Sequence, residues 1–179
     1  MSAVHVCLRL AVVAITAVAM ELWACQLHQR FWHRALWPLH RSHHQPHAGR
    51  LEANDWLSLL HAPPAVLLIL YGCLAASAWT RDFAFGIGIG MSVFGVAYFV
   101  VHDGFIHGRL PLAFLRRSRT FVRLRALHRV HHRRDAAPYG LFLAAWELRA
   151  HARSSRASRL SPDAQDTAAG TPSARCTDR

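Results

Sequence analysis

Three long apolar runs divide the chain. The first, VCLRLAVVAITAVAMELWAC (Val6 to Cys25), is interrupted only by Arg9 and Glu21. The second, LSLLHAPPAVLLILYGCLAASAW (Leu57 to Trp79), contains His61 and no acidic or basic residue besides it. The third, FAFGIGIGMSVFGVAYFVV (Phe83 to Val101), has no charge at all. Each is long enough to cross a hydrocarbon core of about 30 Å. A segment in lipid must satisfy its own backbone hydrogen bonds, so all three runs predict helices. Gly86, Gly88 and Gly90 in the third suit close helix packing inside a bilayer. Only Thr80 to Asp82 separates the second and third runs, which predicts a hairpin. The polar stretches Gln26 to Trp56 and His102 onward then lie on one side of the membrane. A shorter apolar patch, YGLFLAAWEL (Tyr139 to Leu148), is too short to cross and predicts a re-entrant or interfacial helix, or half of a fourth span. The expected fold is all-α: an integral membrane bundle of three to four transmembrane helices, occupying residues 1–150, with its polar chemistry at one end. Residues 151–179 are small and polar and read as a disordered tail.

Composition agrees with this pattern. The chain has 179 residues, 53% of them hydrophobic, and a mean hydropathy of +0.13. Its 21 basic residues are all Arg and face 10 acidic ones, for a net charge of +11. A nucleic-acid partner needs a soluble fold with a basic face, whereas here the arginines flank apolar runs, so nucleic acid is excluded. Arg30, Arg34, Arg41 and Arg50 occupy the first polar stretch and most of the remaining arginines the second, a bias that places both in the cytoplasm. Trp23, Trp32, Trp37, Trp56 and Trp79 fall near the run ends, where interfacial aromatics collect. Ala17-Val18-Ala19 resembles a signal-peptide cleavage site, but the stretch before it has only Arg9 and two histidines follow at once, which favours a retained span. The four cysteines are far apart and form no CxxC pair, which argues against a disulfide framework or a zinc ribbon.

Histidine placement carries the chemistry. Of 14 histidines, ten form four groups: His28 with His33, His40 with His43 and His44, His102 with His107, and His128 with His131 and His132. All four fall on the side that hydropathy and arginine bias call cytoplasmic. Helix positions i, i+3 and i+4 share a face, so each HxxHH triplet is expected to aim three imidazoles at one point. In the HxxxxH pairs, five residues turn an α-helix by roughly 140°, so the two rings reach different metals or the helix must bend. The set describes a nitrogen-lined cage around more than one metal ion, and imidazole suits Zn, Cu, Fe and Ni alike. His5, His61 and His151 stand outside the groups, and His47 lies near enough to the first triplet to support it. A membrane metal transporter would carry its ligands near the bilayer midplane on broken helices. These histidines sit at the helix ends instead.

The stretches HQRFWHRALWPLHRSHHQPHAGRLEANDW, YFVVHDGFIHGRLP and LHRVHHRRDA resemble the beta-carotene hydroxylase family, within the membrane fatty-acid-hydroxylase superfamily of non-haem di-iron enzymes. The likeness runs from about Met20 to Pro138. The run after His132, RRDAAPYGLFLAAWEL, departs from the family's usual sequence. The resemblance implies that His28, His33, His40, His43, His44, His102, His107, His128, His131 and His132 bind two non-haem irons. These would activate dioxygen and place one of its atoms on ring carbon 3 of a carotenoid beta-ionone ring. Fatty-acyl or sterol oxidation and carotenoid ketolation are related outcomes on the same histidine set. Asp103, Asn54, Asp55 and Glu21 are candidate outer partners of the ligating rings, Glu21 alternatively pairing with an arginine. The resemblance also implies an acidic, ferredoxin-type electron donor. The Arg116, Arg117, Arg119, Arg123 and Arg125 stretch would steer such a partner, or contact lipid. The implied setting is a bacterial inner membrane with the histidines on its cytoplasmic face.

Overall fold

A computed structural model of the protein describes residues 2–45 and 51–160, with side chains up to residue 156. Three helical stretches among the described residues are long and apolar enough to cross a membrane: Ala3–Trp32, Asp55–Leu74 and Ala78–Ile106. Each extends past, or starts before, the apolar run that predicts it, because polar residues continue the helix at the histidine-bearing end. The first consists of α1 (Ala3–Leu27) and a π-helical turn (His28–Trp32). The second contains α3 (Asp55–Leu59) and α4 (Ala62–Leu74), and the third α5 (Ala78–Tyr98) followed by a π-helical stretch (Phe99–Ile106). The short α2 (Trp37–His44) follows the first span, and α6 (Arg119–Arg134) and α7 (Ala144–Leu160) follow the third.

Helix α5 is central and packs on both α1 and α4. Its glycines set that spacing. A side chain at Gly88 would meet the Ala65 carbonyl of α4 at 2.7 Å, and one at Gly90 would meet Thr16 of α1 at 2.6 Å. Two residues rotate a helix by roughly 200°, so neighbouring glycines in this run serve opposite partners. The predicted hairpin exists but turns earlier than expected. Helix α4 stops at Leu74, and Ser77 caps α5 by accepting from the Thr80 N–H at 3.5 Å. Thr80 to Asp82 therefore belong to the first turn of α5, and Asp82 is buried there against Arg9 and His5 of α1. That ion pair closes the bundle at the end opposite the grouped histidines.

Residues 139–143 are not helical and form a loop beneath the histidines, with the helix starting only at Ala144. The patch Tyr139 to Leu148 is thus half loop, half helix, rather than one interfacial helix. Helix α7 also continues to Leu160, so the first part of the expected tail is helical; Ala and Arg are good helix formers. The remainder of that tail, and His47, lie outside the described residues.

Candidate metal centre

The ten grouped histidines converge at one end of the bundle in two adjoining clusters. Cluster 1 brings together His28, His33, His40, His44 and His131. Cluster 2 brings together His43, His107, His128 and His132, and His102 joins it with its Nε2 at 3.1 Å from His43 Nε2. The His44 and His132 rings stack at 4.3 Å where the clusters meet.

This arrangement corrects the expectation that each triplet points at one place. In each HxxHH the outer two histidines stay together and the middle one crosses to the other cluster. His40 and His44 enter cluster 1 while His43 enters cluster 2; His128 and His132 enter cluster 2 while His131 enters cluster 1. Helix geometry explains it. Positions i and i+4 differ by roughly 40° around the axis, whereas adjacent positions differ by roughly 100°. Both α2 and α6 lie between the clusters and feed each side.

The HxxxxH pairs take the second of their two options. The chain abandons α-geometry at both. The His33 N–H donates to the His28 carbonyl at 3.1 Å, and the His107 N–H to the His102 carbonyl at 3.0 Å. These are π-type bonds spanning five residues, and such turns recur at functional sites. The wider turn brings i and i+5 onto one face, with ring centroids 4.9 Å apart for His28 and His33 and 4.8 Å for His102 and His107.

The rings are oriented from behind. His28 Nδ1 faces the Tyr139 carbonyl at 2.8 Å, His40 Nδ1 the Asn54 Oδ1 at 2.7 Å, and His131 Nδ1 the Ala136 carbonyl at 2.9 Å. His43 Nδ1 faces Glu52 Oε1 at 3.0 Å, His102 Nδ1 faces Asp103 Oδ2 at 3.3 Å, and His44 Nδ1 faces Asp135 Oδ1 at 2.9 Å. Each of these oxygens accepts only, so in the five hydrogen-bonded rings, all but His44, Nδ1 carries the proton and Nε2 presents a lone pair; His44 Nδ1 lies near Asp135 without a hydrogen bond. Yet His28 and His40 bring their Nε2 atoms to 2.9 Å, and His43 and His102 to 3.1 Å. Facing lone pairs at that distance repel unless a cation lies between them. His132 Nε2 is likewise buried with no hydrogen-bond partner. Burial, then the neighbouring imidazoles, holds His33 and His44 down to about 4 and His132 to about 2. These rings are neutral at pH 7, as ligands must be. The donor set therefore fits metal ions, and all-imidazole coordination is compatible with iron.

Of the expected outer partners, Asp103 and Asn54 touch histidines. Asp55 does not: it accepts from the Glu52 N–H at 3.0 Å and from Arg109 Nη1 at 2.7 Å. Glu21 touches neither a histidine nor an arginine, and accepts from the Leu141 and Leu143 N–H groups at 2.7 and 3.0 Å. Sequence reasoning missed Glu52, which stands two residues before Asn54 in the same LEAND stretch. It also missed Arg109, which holds Glu52 Oε1 at 2.6 Å and approaches Asp103 Oδ1 at 3.5 Å. Burial acts against the charge of Arg109, but Asp55, Asp103 and Glu52 outweigh it and raise the guanidinium pKa. The carbonyls of Tyr139 and Ala136 left no side-chain signal to find. Of the histidines outside the groups, His5 pairs with Asp82, His61 accepts from Trp23 Nε1 at 3.0 Å, and His151 Nδ1 donates to the Glu147 carbonyl at 3.0 Å.

An apolar cavity of about 340 Å³ lies inside the bundle next to the clusters, lined by Met20, Ala65, Met91, Phe94 and Gly95 among others. Asp103, which orients His102, forms part of its wall, as do Trp32 and Tyr98, whose rings contact His28 and His102 at 5.4 and 4.6 Å. On the lipid side, the lining residues Val66, Val96 and Phe99 are exposed.

Residues 13–150 match the family model described as fatty acid hydroxylase. Beta-carotene hydroxylase 1, chloroplastic, from Capsicum annuum is 41% identical over 134 residues, covering 74% of this chain and 42% of that protein. Beta-carotene 3-hydroxylase, chloroplastic, from Gentiana lutea is 42% identical with the same coverage. Beta-carotene hydroxylase from Pantoea ananas is 36% identical over 121 residues, covering 68% of this chain and 66% of that protein. The chain thus spans less than half the length of the plant relatives. No solved structure matches it significantly.

Proposed function

The chain belongs to the fatty acid hydroxylase family, and from that membership we propose that it hydroxylates carbon 3 of carotenoid beta-ionone rings, taking beta-carotene through beta-cryptoxanthin to zeaxanthin. The observation that carries the proposal is the apolar, lipid-facing cavity walled by Asp103, the residue that orients His102. Its volume lies at the small end of ligand pockets, roughly 300–1,000 Å³. It takes one ring of a long polyene while the rest stays in the bilayer.

The ten clustered histidines are the proposed ligands of two non-haem irons, His28, His33, His40, His44 and His131 for one and His43, His102, His107, His128 and His132 for the other. When bound, the irons supply the dioxygen activation that no side chain can perform, one oxygen atom entering the C–H bond and the other leaving as water. The chain's own residues do the rest. The acceptors behind His28, His40, His43, His102 and His131 keep each proton on Nδ1 and each Nε2 free to coordinate. Phe94, Met91 and Ala65 hold the ring by apolar contact and keep water from it. Arg116, Arg117, Arg119 and Arg123 are exposed, and they offer a basic landing surface for an acidic ferredoxin-type donor. The hydroxylase domain comprises residues 1–150. The three spans place the protein in a membrane, which we take to be a bacterial inner membrane with the histidines cytoplasmic, following the arginine bias.

The test is the pigment profile of beta-carotene-producing bacteria expressing the chain with a ferredoxin supply. Hydroxylated carotenoids, lost in His43→Ala, are expected. Unchanged beta-carotene beside iron-loaded protein would move the substrate to another lipid.

A further inference from the structure

Glu147, in the first turn of α7, is 7% exposed and belongs to neither histidine cluster. Both of its carboxylate oxygens accept from the Tyr139 N–H at 2.9 Å, and Oε2 also accepts from the Gly140 N–H at 2.8 Å. The Gly140 N–H and the Tyr139 carbonyl are the two ends of one peptide group. That same carbonyl accepts from His28 Nδ1 at 2.8 Å. A peptide is a conjugated unit. An anion hydrogen-bonded to its N–H therefore draws more negative charge onto its oxygen, as in any polarised hydrogen-bond chain.

We propose that Glu147 is a positioning residue for cluster 1, acting on His28 through the Tyr139–Gly140 peptide as Glu52 and Asp103 act directly on His43 and His102. The proposal rests on the reading of the clusters as metal sites. Two further observations support it. A Cβ at Gly140 would lie 3.0 Å from Glu21 Oε1 and 3.4 Å from Glu147 Oε2, so both carboxylates pack closely against this glycine. Glu21 takes the next N–H groups of the same loop, at Leu141 and Leu143, so the loop is held by two carboxylates from two helices. Neutral acceptors would suffice merely to close a turn.

Glu147→Gln isolates the charge, because the amide oxygen still accepts from both N–H groups. Metal-free full-length protein in detergent is titrated anaerobically with Fe(II), in the wild type and in Glu147→Gln. Wild-type protein takes up two ions. Glu147→Gln is expected to weaken one of them by about 10–100-fold, the usual effect of losing an outer partner, and to leave the other unchanged. In a His43→Ala background the remaining ion feels Glu147→Gln, and in a His131→Ala background it does not. Wild-type binding constants in Glu147→Gln, with or without a lowered melting temperature, would overturn the proposal and leave a loop-folding role. So would a weakening that persists in His131→Ala. Wild-type protein that bound no iron would instead refute the di-metal reading on which the proposal stands.

Discussion

The two clusters have the same inventory of rings and different surroundings. Each combines one HxxxxH pair on a π-turn, the outer two histidines of one triplet and the middle histidine of the other. Behind cluster 1 stand neutral acceptors, the Tyr139 and Ala136 carbonyls and Asn54, with one anion, the exposed Asp135. Behind cluster 2 stand two buried carboxylates, Glu52 and Asp103, tied together by Arg109. A carboxylate behind an imidazole raises its basicity as a ligand. Cluster 2 is therefore the stronger donor set, and on the proposed di-metal reading two ions held by identical side chains would bind unequally. The lesson is that the difference between two sites of equal ligand composition lies one bond further out.

The largest effect comes from removing a ligand of one cluster. On the proposed reading, His131→Ala should empty cluster 1 and His43→Ala cluster 2, each abolishing the proposed hydroxylation while the other ion stays; metal analysis and product chromatography read both. Membrane insertion is unaffected in both. Next, Glu52→Gln and Asp103→Asn each weaken the cluster 2 ion by about 10–100-fold, bringing its affinity toward that of cluster 1. Calorimetric Fe(II) titration reads this as two unequal binding steps merging. Arg109→Met removes the guanidinium that bridges Glu52, Asp55 and Asp103, at a cost of about 1–3 kcal/mol in stability. Thermal unfolding in detergent measures it. Asn54→Asp has the smallest effect: it gives His40 an anionic partner and tightens the cluster 1 ion by about threefold, narrowing the gap from the other side.

Much of this was legible in the sequence. The three spans follow from hydropathy because lipid leaves the backbone no alternative, and the side on which the histidines gather follows from the spans. The ten histidines stood out by their spacing. What could not be read was how they divide. HxxHH spacing brings three rings to roughly one face, but whether one or two sites use that face depends on what lies opposite, and α2 and α6 are 75 residues apart from His44 to Arg119. The HxxxxH spacing held two outcomes open, and a π-turn, which has no composition signature here, decided between them. Asp55 and Glu21 were plausible by position, yet Asp55 turned to Arg109 and Glu21 to a loop that the sequence drew as helix. Glu147 was hidden inside an apolar patch, since nothing marks a residue that acts through a backbone amide.

Iron stoichiometry in two double variants tests the crosswise sharing of the triplets. His44→Ala with His131→Ala removes ligands from cluster 1 alone and should leave one tightly bound iron per chain. His43→Ala with His44→Ala removes neighbours in one triplet but strikes both clusters, and should leave none. The reverse result, with iron kept in the second variant and lost in the first, would mean that each triplet serves its own ion and would contradict the account.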